Sequence, residues 1–160
     1  MRTPTAKLLT REQLTLLAPA WRDAGKKVVL TNGVFDLLHV GHLRYLQEAR
    51  RLGDLLVVGV NSDESVRQLK GDTRPVLPAT ERAELVAGLE CVDYVTIFHE
   101  LTAIALVEIV QPTYYAKGGD YTERDLPEAE AVVHYGGFVV ILPFHPERST
   151  TALLEKIKQL

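Results

Sequence analysis

The stretch Thr31–His42 constrains the fold of this 160-residue chain more than any other. A short apolar, β-branched run, Lys27–Leu30, precedes it and predicts a buried strand. The residues that follow, Leu43–Leu52, carry leucine and alanine at helical spacing. The stretch is therefore predicted to be a turn from a strand into a helix. In an open α/β sheet, ligands bind at such turns, outside the carboxyl ends of the strands.

Several residues of this turn favour the binding of a phosphate group. Gly33 permits backbone angles that let successive N–H groups converge on an anion. The helix that begins near Gly41 adds its unpaired N–H groups and the positive end of its dipole. His39 and His42 are three residues apart, so a helical turn places both imidazoles on one side of the opening. There they can donate hydrogen bonds to a phosphate and stabilise charge that builds in a transition state.

Two histidines at this spacing are also compatible with a metal pair or with ordinary half-buried polar residues. A zinc site would need a third protein ligand at a recognisable spacing. No Glu or His extends the pair, and the single cysteine, Cys91, is distant in the sequence. Phosphate chemistry is therefore the favoured interpretation, with no metal ligands assigned.

The length, charge and cysteine count of the sequence indicate the number of domains, the type of surface and the cellular compartment. The length suits one domain, residues 1–160, with residues 1–25 as an N-terminal helical extension. A net charge of -3 argues against a nucleic-acid or membrane surface. One cysteine fits a reducing compartment, and no signal peptide or membrane span is recognised, so we expect a cytoplasmic protein.

The first 25 residues are predicted to form an arm followed by a helix. Residues 1–9 form the arm, and Thr10 caps a helix that ends near Ala24, with Gln13 completing a capping box. Pro19 lies inside this helix and should bend or break it.

The rest of the chain alternates strands with helices, which predicts a doubly wound, Rossmann-like α/β fold with a five-stranded parallel sheet. The predicted strands are residues 27–30, 55–60, 94–98, 114–116 and 138–142. The predicted helices are residues 41–52, a short helix from 64, then 78–89, 101–110, 126–135 and a terminal helix that ends at 160.

Polar segments follow three of the later strands. Lys70 and Arg74 lie in the loop after the second strand, which is either a solvated loop or a mobile lid with phosphate-binding cations. Gly118, with Lys117 and Asp120, forms a turn that suits a base and ribose, although a plain Gly-Gly turn is the alternative.

The junction before the terminal helix offers another anion site. Ser149 or Thr150 would cap that helix, and Arg148 directly precedes it. A cation, two hydroxyls and a helix N-terminus together suit a triphosphate tail, although a plain cap is the alternative.

The motif His39-Val40-Gly41-His42 after a Gly-Val-Phe-Asp turn resembles the signature of the cytidylyltransferase-type nucleotidyltransferases. From about residue 26 onward, the chain resembles the branch of that family that makes ADP-heptose from D-glycero-β-D-manno-heptose 1-phosphate. The further motifs that carry this resemblance are residues 60–63, 69–76, 81–82, 117–121 and 149–151. The kinase half that often accompanies this domain is not among these residues, so we expect a stand-alone enzyme.

The resemblance implies the strand order 3-2-1-4-5 and transfer of AMP from ATP, or of CMP from CTP, to a phosphorylated sugar. It also implies a homodimer and Mg²⁺ carried by the nucleotide phosphates. His39, His42 and Lys70 would be catalytic, and Asp36 and Arg82 would act at the substrate. The nucleotide would be held by Gly33, Val34, Phe35, Gly41, Lys117, Gly118, Asp120, Arg148, Ser149 and Thr150.

Three alternatives remain. The same chemistry could act on glycerol phosphate or another polyol phosphate with CTP, or on FMN with ATP. The chain could also be a nucleotide-binding module without catalytic activity. A redox dinucleotide fold is disfavoured because the turn lacks the G-x-G-x-x-G spacing.

Overall fold

A five-stranded parallel sheet forms the centre of the computed structural model, which describes residues 2–119, 121–143 and 149–160. The strand order β3-β2-β1-β4-β5 confirms the predicted order and the doubly wound Rossmann-like fold. The strands are Val28–Gly33 (β1), Leu55–Asn61 (β2), Tyr94–Phe98 (β3), Tyr114–Gly118 (β4) and Phe138–Leu142 (β5). Because the order reverses between β1 and β4, the carboxyl ends of these two strands flank the crevice that such sheets use for ligands.

Helices cover both faces of the sheet. The α-helices are Arg11–Asp23 (α1), Val40–Arg51 (α2), Asp63–Lys70 (α3), Ala79–Ala87 (α4), Ile104–Val110 (α5), Ala129–His134 (α6) and Thr150–Lys158 (α7). Short 3₁₀ helices span Pro4–Lys7 and Glu123–Asp125.

Two apolar clusters place these helices in layers. One joins β1 and β2 to α2 and α4, with Leu46 and Val86 fully buried. The other joins the opposite face to α1, α5 and α6, with Leu14 and Leu106 buried. The continuous burial of β2 between these layers explains why its sequence shows no polar alternation.

The N-terminal residues pack against the edge of the sheet beside β3. Leu8 forms a parallel bridge with Val95, and the backbone N–H of Leu9 donates to Val95 O at 2.8 Å. Lys7 Nζ donates to Leu89 O at 3.0 Å. The predicted arm is therefore tied to the edge strand.

The capping box of α1 is confirmed, since Thr10 Oγ1 accepts from the N–H of Gln13 and the Gln13 side chain accepts from the N–H of Thr10. Of the two predicted effects of Pro19, a break is wrong, because α1 is continuous from Arg11 to Asp23, and a bend stays a prediction. Proline removes one backbone hydrogen bond, and the burial of Leu14 and Ala18 on the helix offsets that loss.

Several predicted helices are shorter in the structure. The helix predicted from residue 101 begins at Ile104, because the carboxylate of Glu128 accepts from the N–H of Ala103 at 2.8 Å and fixes the chain just before it. The helix predicted for residues 126–135 is Ala129–His134, preceded by the 3₁₀ turn Glu123–Asp125.

No helix in the described part of the chain combines the length and apolar character that a bilayer crossing requires.

Gly53 provides a test of this packing. A Cβ at this position would lie 2.5 Å from the backbone oxygen of Lys27, so we expect Gly53→Ala to lower the free energy of unfolding by about 1–3 kcal/mol. Gly71→Ala is the comparison for strain without crowding, because Gly71 has a φ of +95° but an added Cβ would meet nothing within 4 Å, so only conformational strain of about 1–3 kcal/mol applies. Urea denaturation measures both, and equal stabilities for Gly53→Ala and the wild type would contradict the packing.

Candidate active site

A cleft of about 310 Å³ lies at the carboxyl edge of the sheet, beyond the point where the ladder between β1 and β4 ends. The turn after β1, the first turns of α2, the end of β4 and the start of α7 line it. The lining residues are Asn32, Gly33, Val34, Phe35, Asp36, His39, Gly41, His42, Tyr45, Lys70, Arg74, Lys117, Gly118, Tyr121, Pro143, Ser149, Thr150 and Thr151.

Most of the predicted site residues are in that lining. The structure brings together Gly33, Val34, Phe35, Asp36, His39, Gly41, His42, Lys70, Lys117, Gly118, Ser149 and Thr150. Asp120 and Arg148 lie outside the described residues. Arg82 is not in the lining, and its position is described below.

The turn from β1 to α2 is compact. A Cβ at Gly33 would lie 3.0 Å from the ring of Phe35, so a larger residue would displace that ring. Phe35 has a φ of +50°, a left-handed conformation that is uncommon outside glycine. Its ring is buried, and its centroid lies 5.3 Å from that of His42. The backbone strain is thus held by side-chain packing at the cleft.

The two histidines form a stacked pair with ring centroids 3.9 Å apart. His39 Nδ1 accepts from the N–H of Gly41 at 3.1 Å, and His42 Nδ1 accepts from the N–H of His39 at 3.4 Å. Each imidazole therefore caps the start of α2. Because Nδ1 is an acceptor in both rings, a neutral ring carries its proton on Nε2.

Burial and the neighbouring His39 lower the pKa of His42 to about 4. His42 is therefore neutral near pH 7 and holds a donor on Nε2. The N–H of Gly41, which the sequence analysis assigned to an incoming phosphate, is instead bonded to the His39 ring. At the start of α2, the imidazole rings therefore take over part of the donor role that the backbone N–H groups were predicted to have towards a phosphate.

Asp36 fixes the loop between α3 and α4. Its side chain is fully buried and accepts from Arg74 Nε at 2.7 Å and from the N–H groups of Val76 and Leu77 at 2.9–3.0 Å. The Arg74 guanidinium and the two backbone N–H groups lower the pKa of Asp36 against the opposing effect of its burial. The loop that carries Arg74 is therefore anchored to the turn after β1, and Asp36 acts on that loop.

Tyr45 joins α2 to β1 and β4 beneath the cleft. Its hydroxyl lies 2.5 Å from Thr31 Oγ1 and donates to Ala116 O at 3.0 Å. A Cβ on Gly118 would lie 3.1 Å from the Tyr45 ring, so this position needs glycine for close packing. Burial raises the pKa of the Tyr45 hydroxyl, which stays protonated.

The remaining predicted residues approach from three elements. Lys117, on β4, is half-buried, and desolvation lowers the pKa of its ammonium group. Lys70 ends α3. Ser149 caps α7 by accepting from the N–H of Ala152 at 3.0 Å, as predicted, and Thr150 Oγ1 donates to Leu37 O at 3.3 Å. The second contact brings α7 against the turn that carries the histidines.

Arg82 is away from the cleft, in contrast to the prediction that it contacts a substrate. Its side chain is fully buried. It donates to Val34 O at 2.6 Å, to Leu77 O at 2.9 Å and to Asp63 Oδ1 at 2.7 Å. A guanidinium with all three nitrogens engaged in this way holds the turn after β1 against the starts of α3 and α4.

Six of the lining residues were given no role in the site from the sequence. They are Asn32, Tyr45, Arg74, Tyr121, Pro143 and Thr151. Arg74 was predicted either as a cation of a solvated loop or as a phosphate-binding cation of a mobile lid, and was not assigned to the site. The position of Asn32 and Pro143 at or just after the carboxyl ends of strands was an available signal. Tyr45 follows His42 by three residues and therefore lies on the same side of α2, which was a second signal.

A family model described as cytidylyltransferase-like matches residues 30–155. The chain belongs to the cytidylyltransferase-like family. The matched span contains every described residue that lines the cleft.

Curated relatives of this family member are named "Bifunctional protein HldE". The protein from Geotalea uraniireducens is 50% identical over 153 residues, which cover 96% of this chain and 31% of the relative. The protein from Trichlorobacter lovleyi is 48% identical over 156 residues, which cover 98% of this chain and 32% of the relative. The chain therefore spans about a third of the length of these curated relatives.

A solved structure of the same fold is the lipopolysaccharide core biosynthesis protein from Thermoplasma volcanium. Its TM-score is 0.61 at 34% sequence identity, and the match covers 76% of this chain and 98% of that chain. This similarity agrees with the cytidylyltransferase-like family assignment.

Arg82→Met tests the structural role of the guanidinium. We expect the free energy of unfolding to fall by about 3 kcal/mol, because Val34 O and Leu77 O lose their donor; the contribution of partly exposed Asp63 is screened by solvent. Arg82→Lys, which keeps the charge and one donor group, should lose less. Urea denaturation provides the measurement, and wild-type stability in Arg82→Met would contradict the role.

Proposed function

We propose that this chain is a nucleotidyltransferase that transfers AMP from ATP to D-glycero-β-D-manno-heptose 1-phosphate, giving ADP-heptose and pyrophosphate. The cytidylyltransferase-like family supports transfer of a nucleotidyl group. The motifs Lys70-Gly71-Asp72 and Lys117-Gly118-Gly119, together with the HldE relatives and the lipopolysaccharide core biosynthesis protein, support the heptose branch.

The observation that carries this proposal is the paired arrangement of His39 and His42 at the mouth of α2. The Nδ1 atoms of both rings accept from backbone N–H groups, and both side chains line the cleft. Arg74, Lys70 and Lys117 line the same cleft and supply positive charge. Such a donor set suits a triphosphate and the charge that develops during its cleavage.

The reaction needs positioning and charge stabilisation more than proton transfer. An oxygen of the sugar phosphate attacks the α-phosphorus of ATP, the new P–O bond forms, and the bond to the pyrophosphate breaks in line with it. The nucleophile is already an anion, so no general base is required. We assign donation of hydrogen bonds to the reacting phosphate oxygens to His39 and His42, and neutralisation of their charge to Lys70.

We assign the remaining nucleotide contacts by position in the cleft. The backbone at Gly33, Val34 and Phe35 would cradle the α-phosphate, and Ser149 and Thr150, with Arg148, would hold the outer phosphates. Lys117, Gly118 and Asp120 would frame the base and ribose. Asp36 would act indirectly, through the loop that presents Arg74.

Mg²⁺ would accompany ATP on its phosphate oxygens in this proposal. Within the described ranges, no group of three or more His, Cys, Asp and Glu side chains could hold a metal ion. The carboxylate of Asp36 uses both oxygens on Arg74, Val76 and Leu77. A cation that retains waters and phosphate ligands fits this surrounding better than a cage of protein ligands.

We further propose a cytoplasmic homodimer in which residues 1–160 form one catalytic domain and residues 1–25 its helical extension. Exposed apolar side chains on β5 and α7, among them Phe138 and Ile157, support association with a second copy. The single cysteine supports a reducing compartment.

An acceptor panel tests the reaction. We expect pyrophosphate release with ATP and D-glycero-β-D-manno-heptose 1-phosphate at a rate at least about 100-fold above that with CTP or with glycerol phosphate, because the site must discriminate both base and sugar. Coupled pyrophosphate detection measures each pair. Release only with CTP and a polyol phosphate, or only with FMN, would replace this proposal with the corresponding alternative. ATP binding without release for any acceptor would favour a non-catalytic module.

Substitution of the histidines tests the catalytic assignment. We expect His39→Ala and His42→Ala each to lower kcat by about 100-fold or more, because donors at the reacting phosphorus are lost. His39→Asn and His42→Asn, which keep a short polar group able to cap α2, serve as controls for the start of that helix. Circular dichroism checks folding. Near-normal turnover in both alanine variants would refute the assignment.

A further inference from the structure

Asn32, the residue before the glycine of the turn, has an orientation fixed by a buried tyrosine. The hydroxyl of Tyr115 donates to Asn32 Oδ1 at 2.5 Å. Tyr115 is fully buried, and its burial raises the pKa of the hydroxyl, so the hydroxyl stays protonated and remains a donor. Because Oδ1 is engaged with Tyr115, the amide group of Asn32 offers the two N–H donors of Nδ2 to the cleft that it lines.

The side chain of Asn32 lies on the face of the sheet opposite to the histidines. Successive side chains of a strand point to opposite faces. Thr31, the preceding residue, contacts Tyr45 of α2, which is the helix that carries His42. Asn32 contacts Tyr115, which belongs to the cluster with α5 and α6.

Lys117 faces the same side of the sheet as Asn32. Leu30 pairs with Tyr115 between β1 and β4, and Asn32 and Lys117 each follow two residues later, so they share the orientation of that pair. Both side chains line the cleft and both are hydrogen-bond donors. This corner of the cleft, where Asn32 donates on the same face as the nucleotide contact assigned to Lys117, therefore suits an anion that approaches the nucleotide.

The direction of the reaction assigns an occupant to this corner. The residues assigned to the outer phosphates, Ser149 and Thr150 at the start of α7, lie on the α2 side, because Thr150 contacts Leu37 in the turn that leads to α2. In-line displacement requires the nucleophile to approach the α-phosphorus from the side away from the pyrophosphate. The Nδ2 donors of Asn32, on the opposite face of β1, are placed for that approach.

We propose that Asn32 binds the phosphate of the attacking sugar through Nδ2, and that Tyr115 is its positioning residue. The inference rests on the proposed function, since it assumes transfer to a phosphorylated acceptor. It assigns to β1 a contact with the acceptor, separate from the backbone contacts that the following turn makes with the nucleotide.

The test compares Michaelis constants for the two substrates. Asn32→Ala should raise KM for the sugar 1-phosphate about 10-fold while KM for ATP stays within about twofold, because one hydrogen bond to a charged group is lost. Asn32→Asp keeps the acceptor for Tyr115 but faces the phosphate with a like charge, so the rise should be larger and should diminish at high salt. Thermal unfolding identifies variants that lose stability.

Tyr115→Phe tests the positioning role. It should raise KM for the acceptor about threefold, and the double variant with Asn32→Ala should resemble Asn32→Ala alone, because Tyr115 acts through Asn32. Thr31→Val is the matched control. It removes a contact of the same length with a tyrosine hydroxyl on the other face, and KM for the acceptor should stay within about twofold of the wild type.

Unchanged KM for the acceptor in Asn32→Asp, or an equal rise for ATP, would overturn the proposal. Additive effects in the double variant would overturn the role of Tyr115. If the wild type uses another phosphorylated acceptor, the proposed function fails. KM for that acceptor, measured in the same variants, then still decides the role of Asn32. If no acceptor reacts, calorimetric Kd values for phosphorylated sugars replace KM, with equal values in wild type and Asn32→Asp overturning the proposal.

Discussion

Two buried charged side chains hold the turn between β1 and α2, and the geometry of the cleft depends on them. Arg82 donates to the carbonyl of Val34 at the start of the turn, and Asp36 within the turn accepts from Arg74 and from backbone N–H groups of the next loop. A buried charge is stable only when its partners are complete. The turn, the loop that carries Arg74 and the start of α4 therefore form one interdependent unit.

The charged side chains of the site fall into two groups, those that stabilise the backbone and those that face the cleft. Asp36 and Arg82 are buried and bonded to protein groups, so their charges support the backbone. Lys70 and Lys117 line the cleft. His42 is neutral near pH 7 because its pKa is about 4, and protonation of its Nδ1 would break the bond to the N–H of His39. His42 is thus suited to donate a hydrogen bond from Nε2 without adding net charge.

The fold was predictable from local signals because four of the five described strands are short runs with β-branched residues, and several helices begin or end at a local cap or terminator. Thr10, Ser149 and the glycine-bounded turns act within a few residues of where they stand. Pro19 and the start of α5 were less predictable, because packing of Leu14 and the carboxylate of Glu128 decide them from elsewhere in the fold.

The site was predictable as a location but not in its hydrogen bonding. The strand-to-helix turn identified His39 and His42, since both lie in one short motif. The role of Arg82 depends on a carbonyl 48 residues away, and that of Asn32 on a hydroxyl 83 residues away. No local pattern encodes such pairs, and a charged residue such as Arg82 is usually exposed.

The attachment of the N-terminal residues to the edge of the sheet has a practical consequence for fusions. The guanidinium of Arg2 lies 4.8 Å from the ring centroid of Tyr94, the first residue of β3. The chain thus enters at the amino ends of the strands, whereas the cleft opens at their carboxyl ends. An affinity tag or a partner domain joined ahead of Arg2 would emerge on the far side of the sheet, where it leaves substrate entry unobstructed.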